Sequence, residues 1–446
     1  MKRPVNPARI LLSGYLLVIL IGALLLSLPF SSKGISFIDS LFTASSATCV
    51  TGLIVKNTAT DFTLFGKIVI LVLIQIGGLG YMTLSTAFLF ILRRRISLEG
   101  RLLMRESINY LSYENLRHFA FTILKVTLVV EGVGALLLFL YFSSRMPLKY
   151  ALFQGIFHAV SGFCNAGLST FPNNLGDYSK NFFVPAVVMS LYILGGLGFI
   201  VISDLYRTII KRENKKLLLH SKLVLSTTIL LILTGTAFIL LMEWNHALQG
   251  YSIPQKLLIG LFHSTTPRTA GFSTINISLF RPITLIIIIL LMFIGASPGG
   301  TGGGIKTTTA SLLLLQARSF IAGKEDAEVF KYRISTRVGM RAFVIFLLSL
   351  LWVLTFTILI LILERNNGGI LRTLFEVVSA FGTVGLSLGS NTIPNLSSSC
   401  DFSIIGKLLI ILTMIAGKAG TLSLGAALIR RERSLYQYPE GRISIG

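Results

Sequence analysis

The chain has 446 residues with 40 Lys+Arg against 18 Asp+Glu, a formal charge of +22, yet 53% of it is hydrophobic and its mean hydropathy is +0.78. A nucleic-acid binder of that charge would be rich in polar residues, and a disordered basic segment would lack this content of Leu, Ile and Phe. What remains is an all-α polytopic membrane protein whose cations gather on one side.

Apolar segments long enough to cross a hydrocarbon core of about 30 Å fall near 10–30, 66–92, 121–142, 183–203, 223–243, 282–320, 342–363 and 404–429. The first follows MKRPVNPARI with no small-residue cleavage site behind it, so it reads as a retained membrane helix and not as a removed signal peptide. Cations collect in alternate connections. Lys2, Arg3 and Arg9 precede the first span; Arg93, Arg94, Arg95, Arg101, Arg105, Arg117 and Lys125 follow the second; Arg207 to Lys222, Arg318 to Arg341 and Arg430 to Arg442 follow the fourth, sixth and eighth. The positive-inside rule makes these segments and both termini cytoplasmic, so much of the charge reports topology. Cys49, Cys164 and Cys400 have no metal-type spacing, and the five histidines contain no HExxH pair, so metal hydrolysis has no support.

The connections after spans one, three, five and seven are half-apolar and share one pattern: LFTASSATCVTGL (41–53), IFHAVSGFCNAGL (156–168), LFHSTTPRTAGF (261–272) and LFEVVSAFGTVGL (374–386). A Phe stands 9 or 10 residues before a Gly in each: Phe42 and Gly52, Phe157 and Gly167, Phe262 and Gly271, Phe375 and Gly385. A recurring period signals structural repeats. The expected architecture is four helix–pore-loop–helix units, 1–95, 96–215, 216–325 and 326–430, with a cytoplasmic tail at 431–446. Eight membrane helices and four re-entrant half-helices then surround one central pore.

Each loop opens with about ten apolar residues, too short to span the membrane, and then meets its Gly. Irregular backbone at that depth survives only where it is buried in protein or lines water. Four such segments in register would aim carbonyls at a common axis, where a carbonyl ring can replace the hydration shell of a potassium ion. The expected filter triplets are Val50-Thr51-Gly52, Asn165-Ala166-Gly167, Thr269-Ala270-Gly271 and Thr383-Val384-Gly385. No carboxylate ring of the calcium type and no cationic ring of the anion type occurs in them. Arg268, one residue outside its triplet, is expected behind the filter, paired with Glu376, Glu243 or Glu131.

The sixth span is interrupted by Gly295, Ala296, Ser297, Pro298, Gly299, Gly300, Thr301, Gly302, Gly303 and Gly304. Pro and Gly cost a helix roughly 3 and 1 kcal/mol relative to Ala, so the helix breaks inside the membrane into a mobile segment below the third filter loop. Lys306 would hold that segment or line the inner cavity. A phosphate-binding P-loop is excluded because Ile305 splits the required Gly-Lys pair. Gly77-Gly78-Leu79-Gly80 and Gly195-Gly196-Leu197-Gly198 occupy the matching helices of the first two repeats, where they permit close packing or bending. Lys418 sits at mid-span, where an ammonium costs roughly 2.5–3.5 kcal/mol, so it should face protein or water.

These loops, with TPRTAGF (266–272), FGTVGL (381–386) and IGASPGGTGGGIKTTT (294–309), resemble the Ktr/Trk/HKT superfamily of potassium transporters, most of all the membrane subunit of bacterial Ktr-type systems. The resemblance covers nearly the whole chain. It implies potassium translocation across the bacterial plasma membrane through a carbonyl filter, with 295–304 as the intramembrane gating loop. It also implies sodium-dependent uptake, with Na+ as a coupling or activating ion. Lys418 stands where the family commonly has an Arg acting as an electrostatic barrier; it keeps the charge without the planar fork. Sodium-selective plant relatives tend to carry Ser at the place of Gly52, so four glycines favour potassium. A homodimer is implied, together with a separate cytosolic RCK-type ring subunit that binds ATP/ADP or NAD(H). No cofactor is expected in this chain, no nucleic-acid partner, and no enzymatic activity. A sodium-permeable or sodium-selective transporter of the same superfamily, or an alternating-access secondary transporter, is the alternative.

Overall fold

A computed structural model of the protein describes residues 7–80, 116–212, 216–324, 326–364 and 369–421. The cations Lys2, Arg3, Arg93–Arg105 and Arg430–Arg442, the tail 431–446, and the far halves of the spans expected at 66–92 and 404–429 lie outside the described residues.

Each repeat opens with a membrane helix: α1 (Pro7–Ser27), α4 (Leu116–Ser143), α8 (Leu219–Glu243) and α12 (Thr336–Leu363). Within these, Ala120–Ser143, Leu219–Glu243 and Thr336–Leu363 have 24, 25 and 28 residues. At 1.5 Å per residue each spans about 36 Å or more, enough to cross the hydrocarbon core. Only 28%, 28% and 22% of their most apolar windows are buried, which leaves apolar faces such as Leu128, Leu136, Leu233, Leu351 and Ile358 pointing outward. Such faces are stable against lipid and not against water.

Next come the half-helices, α2 (Phe37–Thr48), α5 (Leu148–Phe163), α9 (Ile253–Thr265) and α13 (Gly369–Gly382). Local sequence starts them. The Ser36 hydroxyl accepts from Asp39 N (3.2 Å), and Ser252 and Gln255 form a reciprocal capping box with Pro254 in the first turn. The repeated Phe42, Phe157, Phe262 and Phe375 are all fully buried, which explains why that side chain marks every copy.

The closing helices are α3 (Leu64–Leu79), α6 (Phe183–Leu197), α10 (Pro282–Phe293) and α14 (Ile404–Ala419). Here the structure departs from the continuous spans expected in repeats one, two and four, whereas the break after α10 in repeat three is the one expected. All four stop part-way, at Gly80 (φ 76°), Gly198 (φ 94°), Ile294 and Gly420 (φ 82°). After Gly198 the chain restarts as α7 (Phe199–Leu205), bent by 99° from α6, and after the Gly-rich stretch it restarts as α11 (Thr307–Ile321). The mid-helix glycines also pack closely. A Cβ at Gly77, Gly195 or Gly417 would overlap the terminal pore-helix carbonyls of Thr48, Phe163 or Phe381.

A short hairpin, β1 (Ala327–Val329) and β2 (Tyr332–Ile334), joins the third and fourth repeats and is the one described element that is not helical. Arg333 bonds Asp326, and Thr336 N donates to the same carboxylate at 2.9 Å. This holds the Asp326 carboxyl below the usual carboxylate range and tethers the start of α12. The ring closes where the fourth repeat meets the first: Lys407 on α14 pairs with Asp39 on α2 at 2.7 Å, while Lys56 lies 3.9 Å from the same carboxylate.

Replacing Lys407 by Met leaves Asp39, among the described residues, with only the more distant Lys56 as a cationic partner. The pair is partly exposed, so the expected loss is about 2 kcal/mol, below the roughly 3–5 kcal/mol for breaking a fully buried pair. Thermal unfolding in detergent measures this, and a shift no larger than that of Lys56→Met would show that the seam does not depend on the pair.

Candidate functional site

The four half-helices deliver their C-terminal ends to one place. A helix C-terminus carries about half a negative charge, so the meeting point favours cations. Beyond each helix the chain turns left-handed at a residue other than Gly: Val50 (φ 58°), Asn165 (φ 60°), Thr269 (φ 76°) and Thr383 (φ 50°). Two residues later Gly52, Gly167, Gly271 and Gly385 are left-handed again, at 94°, 65°, 75° and 88°. Left-handed backbone costs a non-Gly residue roughly 1–2 kcal/mol, and here that strain occurs at the same place in all four loops.

The loops touch in chain order. A Cβ on Gly52 would stand 2.5 Å from Ala166 O, and one on Gly167 would stand 2.8 Å from Ala270 O. A Cβ on Gly271 would overlap Val384 O, and one on Gly385 would overlap Thr51 O. Each glycine therefore abuts the middle carbonyl of the next loop, and the fourth loop returns to the first. The predicted triplets meet in this ring through their four glycines and four middle residues, and the Asn165 and Thr269 side chains bond each other at 2.8 Å. Hydroxyls hold it from behind: Ser46 Oγ accepts from Gly52 N (3.0 Å), Ser379 Oγ accepts from Gly385 N (3.1 Å), Ser161 Oγ donates to Leu168 O (2.6 Å) and Thr266 Oγ1 donates to Phe272 O (2.7 Å).

On the side of the ring away from the helix breaks lies a cavity of about 690 Å³, lined by all four triplet glycines and by amides such as Asn57, Asn173 and Asn395. The segment around Asn173 ties the mouth together. Asn57 donates to Pro172 O (3.2 Å), Asn395 donates to Asn173 Oδ1 (2.6 Å), and Ser273 N donates to Asn174 Oδ1 (3.4 Å).

On the opposite side the Gly-rich stretch lies directly against the ring. Gly303 N donates to Thr383 Oγ1 (2.8 Å), and a Cβ on Gly302 would overlap the Thr269 hydroxyl. Sequence reasoning expected a mobile segment; the structure holds it through bonds to other repeats. Ser297 N and Thr301 N donate to Gly196 O (3.0 Å) and Gly195 O (3.2 Å), Phe199 N donates to Gly299 O (3.0 Å), and Gly304 N donates to Gly417 O (3.2 Å). Two ammonium groups grip neighbouring carbonyls of the stretch, Lys306 on Gly302 O (2.7 Å) and Lys418 on Thr301 O (2.6 Å). Of the two roles open to Lys306, holding the segment is the one its contact fits.

The expected carboxylate partner of Arg268 is absent among the described residues. Its guanidinium donates to Thr228 Oγ1 at 3.2 Å. The three candidate carboxylates are engaged elsewhere. Glu376 bonds Ser387 (2.6 Å) and Ser399 (2.5 Å); Glu243 bonds Thr284 (2.5 Å), Arg281 N (2.9 Å) and His246 (3.0 Å); Glu131 bonds Gln75 (3.2 Å). Each serves its own repeat or the one before, which residue type alone does not reveal. Sequence reasoning also missed the hydroxyls behind the ring. Their signal was available, since Ser46, Ser161 and Ser379 each stand six residues before a triplet Gly.

The sequence profile of the TrkH family, described as cation transport protein, matches residues 7–433. The chain belongs to that family. Among relatives of this TrkH-family protein, Ktr system potassium uptake protein B of Bacillus subtilis is 36% identical over 444 residues, covering 99% of this chain and 97% of its own. Potassium/sodium uptake protein NtpJ of Enterococcus hirae is 36% identical over 454 residues, covering 100% and 98%. The crystal structure of the potassium transporter TrkH from Vibrio parahaemolyticus superposes with a TM-score of 0.73 at 17% identity, covering 96% of this chain and 86% of that one, and so shares the fold. The TrkH-family assignment makes this a membrane cation transporter and not an enzyme.

Gly195→Ala and Gly417→Ala each drive a methyl group into a pore-helix carbonyl and are expected to destabilise the protein by more than about 3 kcal/mol. Gly132→Ala, where nothing lies within 4 Å of the added carbon, serves as the neutral control. The yield of monodisperse protein and its unfolding midpoint report the difference; equal behaviour of the three would exclude the close approach.

Proposed function

We propose that the protein takes up potassium ions across the bacterial plasma membrane through the ring formed by Val50-Thr51-Gly52, Asn165-Ala166-Gly167, Thr269-Ala270-Gly271 and Thr383-Val384-Gly385. The observation that carries this reading is the closed contact of each triplet glycine with the next loop's middle carbonyl. An ion leaving the polar outer cavity sheds water only where oxygens replace it. A ring of backbone carbonyls at the negative ends of four helices supplies them without a carboxylate whose charge would hold a monovalent ion too tightly. The names of the Bacillus and Enterococcus relatives support potassium as cargo, and the second of them keeps sodium open as a co-transported or alternative ion.

Residues 295–304 act in this proposal as the gate, with Lys306 and Lys418 as its two clasps and Lys418 also as a positive barrier below the filter. The units 1–95, 96–215, 216–325 and 326–430 each contribute one quadrant, and both termini face the cytoplasm. Uptake is sodium-dependent, the working form is a homodimer in the lipid bilayer, and a cytosolic nucleotide-binding ring subunit controls it. The full-length likeness to proteins named as parts of Ktr systems supports a separate regulatory partner.

Expression in a host that lacks potassium uptake tests the reading. The native chain, supplied with a cytosolic ring subunit, should restore growth at low potassium. Gly52→Ser, which puts a hydroxymethyl group against Ala166 O, should weaken that rescue or admit sodium. Rescue untouched by Gly52→Ser would mean the filter lies elsewhere. Lys418→Gln frees the Thr301 carbonyl from its ammonium and is expected to raise potassium flux several-fold with ion preference unchanged; unchanged flux in proteoliposomes would remove Lys418 from gating.

A further inference from the structure

We infer that Glu376 is a positioning residue for ion selection, and that this one buried carboxyl group fixes the outer ends of filter loops four and one together. The inference rests on the filter reading above and deepens it.

Each pore helix carries a polar residue directly after its repeated Phe: Thr43, His158, His263 and Glu376. In three repeats that residue reaches a hydroxyl eleven positions later, just past the triplet glycine. His158 Nε2 lies 2.8 Å from Ser169 Oγ, His263 Nε2 lies 3.2 Å from Thr274 Oγ1, and Glu376 Oε2 accepts from Ser387 Oγ at 2.6 Å. The first repeat breaks the pattern. Thr43 donates to Asp39 O on its own helix (2.8 Å), and position 54 is an Ile with no side-chain oxygen.

Loop one obtains its fixing from the fourth repeat. Ile54 N donates to Ser397 Oγ and Ser397 N donates back to Ile54 O, both at 2.9 Å. Two residues further on, Ser399 N and Ser399 Oγ donate to Glu376 Oε1 at 2.9 and 2.5 Å. Segment 397–399 is thus pinned to loop one at one end and to Glu376 at the other, while Glu376 also holds loop four through Ser387. The directions of these bonds leave little freedom. Ser387 Oγ already accepts from Ser398 N (2.8 Å) and Gly389 N (3.2 Å), so its single hydrogen is left to donate, and Glu376 Oε2 at 2.6 Å is a much nearer acceptor than Ser398 Oγ at 3.3 Å. Glu376 itself is fully buried, and its two oxygens receive three donors. An amide cannot replace it, because its NH2 would face either Ser399 N–H or an oxygen that has already accepted twice.

The test compares potassium with sodium flux for full-length protein in proteoliposomes and, in parallel, the unfolding midpoint. Ser387→Ala and Ser397→Ala should each reduce the preference for potassium about three- to tenfold, the effect of one net hydrogen bond. Ser387→Thr, which keeps the hydroxyl, should retain that preference. Glu376→Gln should match Ser387→Ala, and combining the two should add little. Gly385→Ser is the benchmark for a direct filter lesion. If the Ser→Ala variants lower only the unfolding midpoint while Gly385→Ser alters preference, Glu376 is a structural residue and the inference falls. If Gly385→Ser also leaves preference unchanged, the filter reading fails and takes the inference with it.

Discussion

Every backbone N–H and C=O that leaves helical geometry inside a membrane must find a partner in the protein, because lipid offers none. This chain leaves helical geometry repeatedly at that depth: in four re-entrant loops, at the ends of four closing helices and through the Gly-rich stretch. The arrangement of the repeats follows from satisfying those groups. Filter loops are bonded to hydroxyls on their own pore helices, as at Ser46 and Ser379, and the Gly-rich stretch is bonded to the broken ends of repeats two and four. Glycine is what permits it: at Gly77, Gly195 and Gly417 a closing helix passes so near a pore-helix carbonyl that no side chain fits.

Electrostatics divides the proposed path into two zones. Above, four helix C-termini and a ring of carbonyls present partial negative charge without a formal anion. Below, the Lys306 and Lys418 ammonium groups bind adjacent carbonyls, Gly302 and Thr301. Attraction at the proposed filter comes from the loops of all four repeats, and repulsion just beneath it from Lys306 and Lys418 of the third and fourth, so the two can be altered at different residues. Arg268 adds a cation behind loop three, where a hydroxyl of Thr228 and not a carboxylate receives it.

The fourfold plan was legible because it rests on features a linear pattern carries: a buried Phe, a left-handed Gly and an apolar run of limited length. The Gly-rich break was legible for the same reason, since Pro298 and consecutive glycines cannot continue a helix. The breaks at Gly80, Gly198 and Gly420 were not, because a few glycines in an apolar run are compatible with either a bend or close packing, and here the helices use glycine for both. Left-handed Val50, Thr269 and Thr383 were hidden because β-branched residues argue against that conformation, which the contacts around the ring impose, and only Asn165 is of a type that adopts it readily. Side-chain partnerships were the least legible. The pairing of Ile54 with Ser397 joins residues 343 positions apart, and the choice of Thr228 for Arg268 depends on which helix face happens to be turned toward it.

The Gly-rich stretch exists in one repeat only, although the ring above it has four near-equivalent members. Symmetric pores open by concerted motion of identical parts, whereas in the gating proposed above the path is stopped by a single strap bonded from one quadrant to two others. Its release requires several backbone bonds and two lysine contacts to part together, an event on the slow, microsecond-to-millisecond scale of loop opening. Under that proposal the dwell time of the strap sets the fraction of time for which the path conducts.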